Sequence, residues 1–149
     1  MPFETQKFVL LVDDEPIVTQ IFERVFENQS YALLDTAKTV KEALEKIRFV
    51  VYDFVFLDMS LDGHSYAGMD VLRAMNRVAL KTRSQGRSTM NSKVIIMSSS
   101  VSLQDIMLEA NALKVVTFLN KPVNFSEQYL LDIVQLLGLP LLPRQTKTT

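Results

Sequence analysis

Two adjacent carboxylates, Asp13 and Asp14, directly follow the short apolar run Phe8–Val12. Asp58 and Ser98 hold the same position after later apolar runs, and Lys121 lies just past the last run. Neighbouring carboxylates repel each other by roughly 1 kcal/mol at ~4 Å in bulk water, and by ~4 kcal/mol at an effective dielectric of ~20. A hard cation such as Mg²⁺, which takes oxygen ligands, would relieve that repulsion. These residue types therefore indicate a magnesium site, if the fold brings the ends of the runs together.

The spacing of the apolar residues predicts alternating strands and helices. Runs typical of buried strands occur at Phe8–Val12, Tyr31–Asp35, Phe54–Leu57, Val94–Met97 and Val115–Leu119. Five segments with helical spacing lie between and after these runs. The first has Ile17, Ile21 and Val25 on its buried face. The others lie around Val40–Ile47, around Val71–Met75, at Leu103–Ala112 and at Phe125–Leu137. Gly138 is expected to end the last helix. The alternation predicts a doubly wound α/β fold, with a parallel sheet covered on both faces.

In such a sheet, ligands bind beyond the carboxyl ends of the strands. Each polar residue alone has an ordinary explanation. Asp13 and Asp14 could end a strand and cap a helix that Pro16 begins, Asp58 and Ser98 suit turns or caps, and Lys121 suits a loop. Together, at four strand ends, they supply the groups that one phosphoryl-transfer site would need.

Composition excludes several classes of protein. The chain has 149 residues, of which 48% are apolar, and a formal net charge of −1, as expected for one soluble domain. The absence of cysteine excludes disulfides and thiolate metal sites, and no apolar run approaches the ~20 residues that span a bilayer. We therefore expect a cytoplasmic protein. A basic stretch, residues 73–93, is interpreted as a solvated helix end and a loop (Lys81–Ser92), so nucleic-acid binding is not expected.

The motifs LLVDDEP, FVFLDMSL, VIIMSSS and VTFLNKPV together resemble the receiver domain of two-component response regulators, from about Lys7 to Leu137. The resemblance implies a flavodoxin-like sheet of five parallel strands in the order 2-1-3-4-5, with five helices. It implies a receiver domain over residues 1–138. Two prolines and the lack of periodicity indicate a C-terminal tail or the start of a linker over 139–149. The resemblance also implies a cis peptide between Lys121 and Pro122.

The resemblance assigns a role to each residue at the strand ends. Asp58 is the phosphoacceptor for a sensor histidine kinase or phosphotransfer protein, in a reaction that depends on Mg²⁺. The implied magnesium ligands are Asp13, Asp14, Asp58 and the backbone carbonyl of Ser60. Lys121 neutralises a phosphoryl oxygen, while Ser98 and Phe118 form the switch.

The switch is expected to alter the surface formed by the fourth helix, fifth strand and fifth helix. A downstream protein target or output domain would bind this surface, and a homodimer could form through it. The resemblance thus implies a phosphoprotein of phosphorelay signal transduction that assists its own phosphorylation and dephosphorylation and is otherwise not an enzyme.

The chain departs from the family pattern after the phosphoacceptor. Asp62 replaces the usual proline, and the turn Gly68-Met69-Asp70 comes late, so the predicted loop Asp62–Gly68 is longer than usual. One alternative is therefore a pseudo-receiver, a protein-interaction domain that is not phosphorylated. Another is a magnesium-dependent phosphatase of similar design, although that class needs a second aspartate where this chain has Ser60. Binding of magnesium and of a phosphodonor would separate the receiver domain from the pseudo-receiver.

Overall fold

The computed structural model describes residues 6–61, 67–83, 92–98, 115–122 and 124–141. These ranges contain five strands: β1 (Lys7–Val12), β2 (Ala32–Ala37), β3 (Phe54–Asp58), β4 (Lys93–Ser98) and β5 (Val115–Asn120). They form one parallel sheet in the order β2-β1-β3-β4-β5. The predicted flavodoxin-like strand order is confirmed.

The helices in the described residues are α1 (Pro16–Val25), α2 (Val40–Phe49), α3 (Ala67–Arg83) and α4 (Glu127–Leu137). The predicted helix at Leu103–Ala112 lies outside the described residues, so α4 corresponds to the helix predicted fifth along the chain. Gly138 ends α4 in the left-handed conformation, with φ of 72°, as predicted. Within the described ranges, no helix is both long and apolar enough to cross a bilayer.

Two apolar clusters cover the two faces of the sheet. Alternate residues of a strand point to opposite faces, so Leu10 and Val12 pack in a cluster with residues of α2 and α3, whereas Val9 and Leu11 pack in a cluster with residues of α1 and α4. The sheet is therefore buried on both faces, and this packing fixes the positions of the residues at the carboxyl ends of its central strands.

The buried face of α1 differs from the prediction. Its buried residues are Val18, Thr19, Ile21, Phe22 and Val25, whereas Ile17 is 58% exposed. The physical reason is the size of Phe22, whose ring lies 5.0 Å from that of Phe56 and 6.0 Å from that of Phe125. Burying this ring turns Ile17 outward, so the prediction for Ile17 was wrong.

Helix α3 also begins earlier and ends later than predicted. Gly68 and Lys81–Arg83, assigned to loops from their composition, are helical. Arg and Lys favour helices, so polarity alone did not distinguish the end of a helix from a loop. The remainder of the two predicted loops, residues 62–66 and 84–91, lies outside the described residues.

Candidate functional site

The carboxyl ends of β1 and β3 bring the three predicted carboxylates together. Asp13 and Asp14 follow β1, Asp58 is the last residue of β3, and the two strands are neighbours in the sheet. Carboxylate oxygens of Asp13, Asp14 and Asp58 all lie within 4.8 Å of one another. The acidic cluster predicted from the sequence is thus formed by the fold.

Lys121, just beyond β5, places its ammonium group among these carboxylates. Its Nζ atom donates to Oδ2 of Asp13 at 2.7 Å, to Oε1 of Glu15 at 2.7 Å and to Oδ2 of Asp58 at 3.1 Å. The Lys121 side chain is only 5% exposed. Three carboxylates therefore hold the buried ammonium group of Lys121 at the end of the sheet.

Backbone N–H groups fix the other oxygens of the two buried carboxylates. The N–H of Glu15 donates to Oδ1 of Asp13 at 2.8 Å, and the N–H of Ser60 donates to Oδ1 of Asp58 at 3.0 Å. Asp13 and Asp58 are 1% and 3% exposed. Their orientation is consequently set by the chain that follows each strand.

Burial opposes the ionisation of both carboxyls. Burial raises the pKa of Asp13 to about 6, although hydrogen bonds from Lys121 and the Glu15 N–H act in the opposite direction. Burial likewise raises the pKa of Asp58, against the Ser60 N–H and the charge of Lys121. Burial alone would lower the pKa of Lys121, but hydrogen bonds to Asp13 and Glu15 outweigh it and raise that pKa. The negative charge of the clustered carboxylates therefore exceeds the positive charge that Lys121 supplies.

This donor set fits a hard divalent cation. The clustered side chains of Asp13, Asp14 and Asp58 offer only oxygen atoms, and Mg²⁺ prefers oxygen ligands and is commonly bound through one or two carboxylates. Asp14 is less buried than the other two, so the cluster faces solvent on one side. A cation at this position would offset the burial penalty that raises the two pKa values.

Two contacts of the site were missed by reasoning from the sequence. One is the ion pair between Glu15 and Lys121; its only signal was that Glu15 extends the acidic pair to three residues. The other is the approach of Gly68 to β3, where the Gly68 N–H donates to the carbonyl oxygen of Met59 at 3.0 Å. Its only signal was the glycine itself, which lies just before the helical spacing of Val71–Met75 although glycine is a poor helix former.

The family is shown by comparison with known proteins. Residues 9–135 match the family model described as the response regulator receiver domain. This chain belongs to that family. Receiver domains of known structure have the same fold. One is the CheY-like receiver domain protein from Methanospirillum hungatei, with a TM-score of 0.62, 21% identity and coverage of 88% of this chain and 92% of that chain.

Another is the response regulator domain of Thermotoga maritima CheB, with a TM-score of 0.63, 23% identity and coverage of 89% and 92% of the two chains. A curated relative is the sensory transduction protein LytR of Staphylococcus haemolyticus, 33% identical over 70 residues. That match covers 46% of this chain and 27% of the relative, so this receiver domain corresponds to only part of that longer protein.

In this receiver domain, the two predicted switch residues lie on neighbouring strands. Ser98 is the last residue of β4 and Phe118 lies within β5; the position of the Ser98 hydroxyl is outside the described part of the structure. Phe118 is partly buried against the cluster on the α2 and α3 side of the sheet. Their switching role stays a prediction.

The Lys121–Pro122 peptide of this receiver domain is trans. The cis isomer implied by the resemblance is therefore a wrong prediction. The physical reason lies in the intrinsic preference of the bond, because the trans form is favoured by about 0.5–1 kcal/mol even before proline.

Proposed function

We propose that this receiver domain accepts a phosphoryl group on Asp58 from a sensor histidine kinase or a phosphotransfer protein. The observation that carries the proposal is the position of Asp58: a buried carboxylate lies 3.1 Å from the Lys121 ammonium and shares a cluster with Asp13 and Asp14. A nucleophile, a fixed positive charge and a set of metal ligands thus meet at one end of the sheet.

The residues divide the chemistry between them. A carboxylate oxygen of Asp58 forms a bond to phosphorus while the bond from phosphorus to the donor's leaving group breaks, and the leaving group keeps the electron pair. Lys121 neutralises one of the phosphoryl oxygens. Asp13, Asp14, Asp58 and the Ser60 carbonyl would hold Mg²⁺, which when bound supplies positive charge beside the transferred group. Phosphoryl transfer needs mainly such positioning and charge neutralisation.

Phosphorylation adds about −1.5 to −2 charge units at this end of the sheet. The Ser98 hydroxyl is proposed to bind a phosphoryl oxygen, and the Phe118 ring to move inward behind it. The surface formed by the predicted helix Leu103–Ala112, by β5 and by α4 would then change its affinity for a downstream protein or an output domain. The same surface is proposed for a homodimer, and the chain is proposed to act in the cytoplasm as a signalling domain, with no catalytic activity beyond its own phosphorylation and dephosphorylation.

Intact mass measurement tests the proposal. The chain is incubated with acetyl phosphate and Mg²⁺, alongside Asp58→Asn and a sample with EDTA; Asp35→Asn is the control for loss of a carboxylate elsewhere. We expect one phosphoryl adduct on the wild type and on Asp35→Asn, and none on Asp58→Asn or with EDTA.

An intact fold that binds Mg²⁺ but gains neither the adduct nor beryllofluoride would contradict the proposal and favour the pseudo-receiver. An adduct that persists in Asp58→Asn would place the phosphoacceptor elsewhere. Both results are read against circular dichroism spectra, so that an unfolded variant is not mistaken for an inactive one.

A further inference from the structure

Lys121 has no N–H left for a phosphoryl group in the arrangement described above. An ammonium group has three N–H donors, and Asp13, Glu15 and Asp58 accept one each. The role proposed for Lys121 requires that it donate to an oxygen of the incoming phosphoryl group. One of the three carboxylates must therefore release it first.

Asp13 and Asp58 are poorly suited to release Lys121. Both are almost fully buried, and a backbone N–H holds the second oxygen of each. Until Mg²⁺ or a phosphoryl group takes the place of the ammonium, a buried carboxylate that loses it is left unneutralised, which is costly. Their attachment to the end of the sheet keeps them beside the lysine.

Glu15 differs from them on every count. Its side chain is 54% exposed, its carboxylate is carried on a longer and more flexible stem, and its Oε1 accepts from Lys121 at 2.7 Å. Released from Lys121, this carboxylate returns to water, where an exposed ion pair is worth little. Glu15 is consequently the partner of Lys121 that costs least to displace.

We infer that Glu15 is a positioning residue: it accepts the hydrogen bond from Lys121 that the phosphoryl group would otherwise accept. The Glu15 carboxylate must therefore move away from Lys121 before Asp58 is phosphorylated. The inference rests on the proposed function of Asp58 and adds a residue that sets its rate. Glu15 opposes phosphorylation in two ways: it competes for the lysine donor, and its charge repels an anionic phosphodonor.

Three variants separate these two effects. Glu15→Gln removes the charge and keeps the length of the side chain. Glu15→Asp keeps the charge but shortens the side chain, which withdraws the carboxylate from Lys121. Glu23→Gln removes one charge from the exposed face of α1, away from Lys121, and is the matched control.

The test is the rate of adduct formation with acetyl phosphate at saturating Mg²⁺, followed by intact mass. We expect Glu15→Gln to be phosphorylated roughly five-fold faster than the wild type, a factor equivalent to about 1 kcal/mol and typical of one nearby charge in water. Glu15→Asp should also be faster, by a smaller factor, and Glu23→Gln should match the wild type. The advantage of Glu15→Gln should shrink in high salt, which screens a half-exposed pair, whereas a purely structural effect would not respond to salt.

Equal rates for the wild type and Glu15→Gln, or a slower Glu15→Gln, would overturn the inference while leaving the proposed function intact. A Glu15→Asp rate equal to that of the wild type would overturn the competition for Lys121 and leave only charge repulsion. Failure of every chain to form an adduct would instead overturn the proposed function and the inference with it. Thermal unfolding of each variant shows whether its fold is retained.

Discussion

Gly68 approaches Asp58 so closely that a Cβ atom on Gly68 would lie 2.5 Å from the carbonyl oxygen of Asp58 and 2.8 Å from the Cα atom of Met59. Both atoms are backbone, so no rotamer change can relieve the clash. We expect Gly68→Ala to lower the free energy of unfolding by about 1–3 kcal/mol, the usual cost of overpacking, and to slow phosphorylation of the displaced Asp58. Urea unfolding and the adduct assay measure the two effects.

Gly138→Ala is the matched control for Gly68→Ala. A Cβ atom there has open space, but the φ of 72° is unfavourable for alanine, so we expect a loss of about 1 kcal/mol. This position lies at the end of α4, away from the carboxylates, and the phosphorylation rate should not change. A normal rate in Gly68→Ala would contradict the idea that the contact positions Asp58.

Asp13 should make the metal-free protein less stable at neutral pH. Its folded pKa of about 6 exceeds the ordinary value of 3.8, so protonation favours the folded state, and this benefit is lost as the pH rises through 6. Without divalent cations, we expect Asp13→Asn to be more stable than the wild type at pH 7.5, by an amount of order 2–3 kcal/mol, and the difference to vanish below pH 4.

Denaturant unfolding across pH, in EDTA and in Mg²⁺, measures this difference. Magnesium should stabilise the wild type and have a much smaller effect on Asp13→Asn. The substitution removes one proposed metal ligand and also one of the carboxylates whose mutual repulsion the metal would relieve. A variant that is less stable than the wild type in EDTA at pH 7.5 would show that the Lys121 contact outweighs the cost of burying the carboxylate.

The hydroxyl of Tyr52 should make stability fall at high pH. It donates to Oδ2 of Asp35 at 2.7 Å, and burial, followed by the hydrogen bond and charge of Asp35, raises the pKa of Tyr52 above its ordinary value of 10.0. As the pH rises, the Tyr52 hydroxyl therefore ionises in the unfolded chain before it does so in the folded chain. The contribution of Tyr52 to the free energy of unfolding is present below pH 10 and lost above it. We expect Tyr52→Phe to cost about 1–2 kcal/mol at pH 8 and less at pH 11.

Tyr31→Phe is the control, because it removes a tyrosine hydroxyl group that lies away from Asp35. The two variants are compared by urea unfolding at both pH values. A cost of Tyr52→Phe that stays constant from pH 8 to pH 11 would mean that the folded and unfolded phenols ionise together.

Two apolar residues of α1 should differ sharply in their effect on stability. Phe22 is fully buried and packs against Phe56 and Phe125, so Phe22→Ala is expected to cost about 3–5 kcal/mol. Ile17, on the same helix, is 58% exposed, and Ile17→Ala should change stability by less than ~0.5 kcal/mol. Thermal or urea unfolding compares them; similar costs for both would mean that Ile17 is buried in solution.

The two covered faces of the sheet and the clustering of Asp13, Asp14 and Asp58 could be predicted from the sequence pattern, whereas the strand order was implied by the resemblance to receiver domains. Buried parallel strands carry continuous apolar runs, and the carboxyl ends of parallel strands lie on one edge, so position after a run was enough to group the carboxylates. The three-way contact of Lys121 was not predictable in this way, because it depends on side-chain lengths and on which donors are already occupied.

Two of the wrong predictions, for Ile17 and for Gly68, were decided by tertiary packing. Helical spacing placed Ile17 on the buried face, but the ring of Phe22 determines how α1 sits on the sheet. Composition placed Gly68 in a loop, whereas its close contact with β3 is what allows α3 to begin there. Periodicity and composition are local properties, and neither reports the space available between two elements.

The contact of Lys121 with Asp13 joins residues that are 108 positions apart. The entropic cost of closing a loop grows with its length, so we expect such a long-range contact to form late in folding. During synthesis, a chain that has emerged only as far as β4 already carries all three carboxylates but not the lysine that neutralises them. The charge balance of the site is therefore completed only when β5 takes its place at the edge of the sheet.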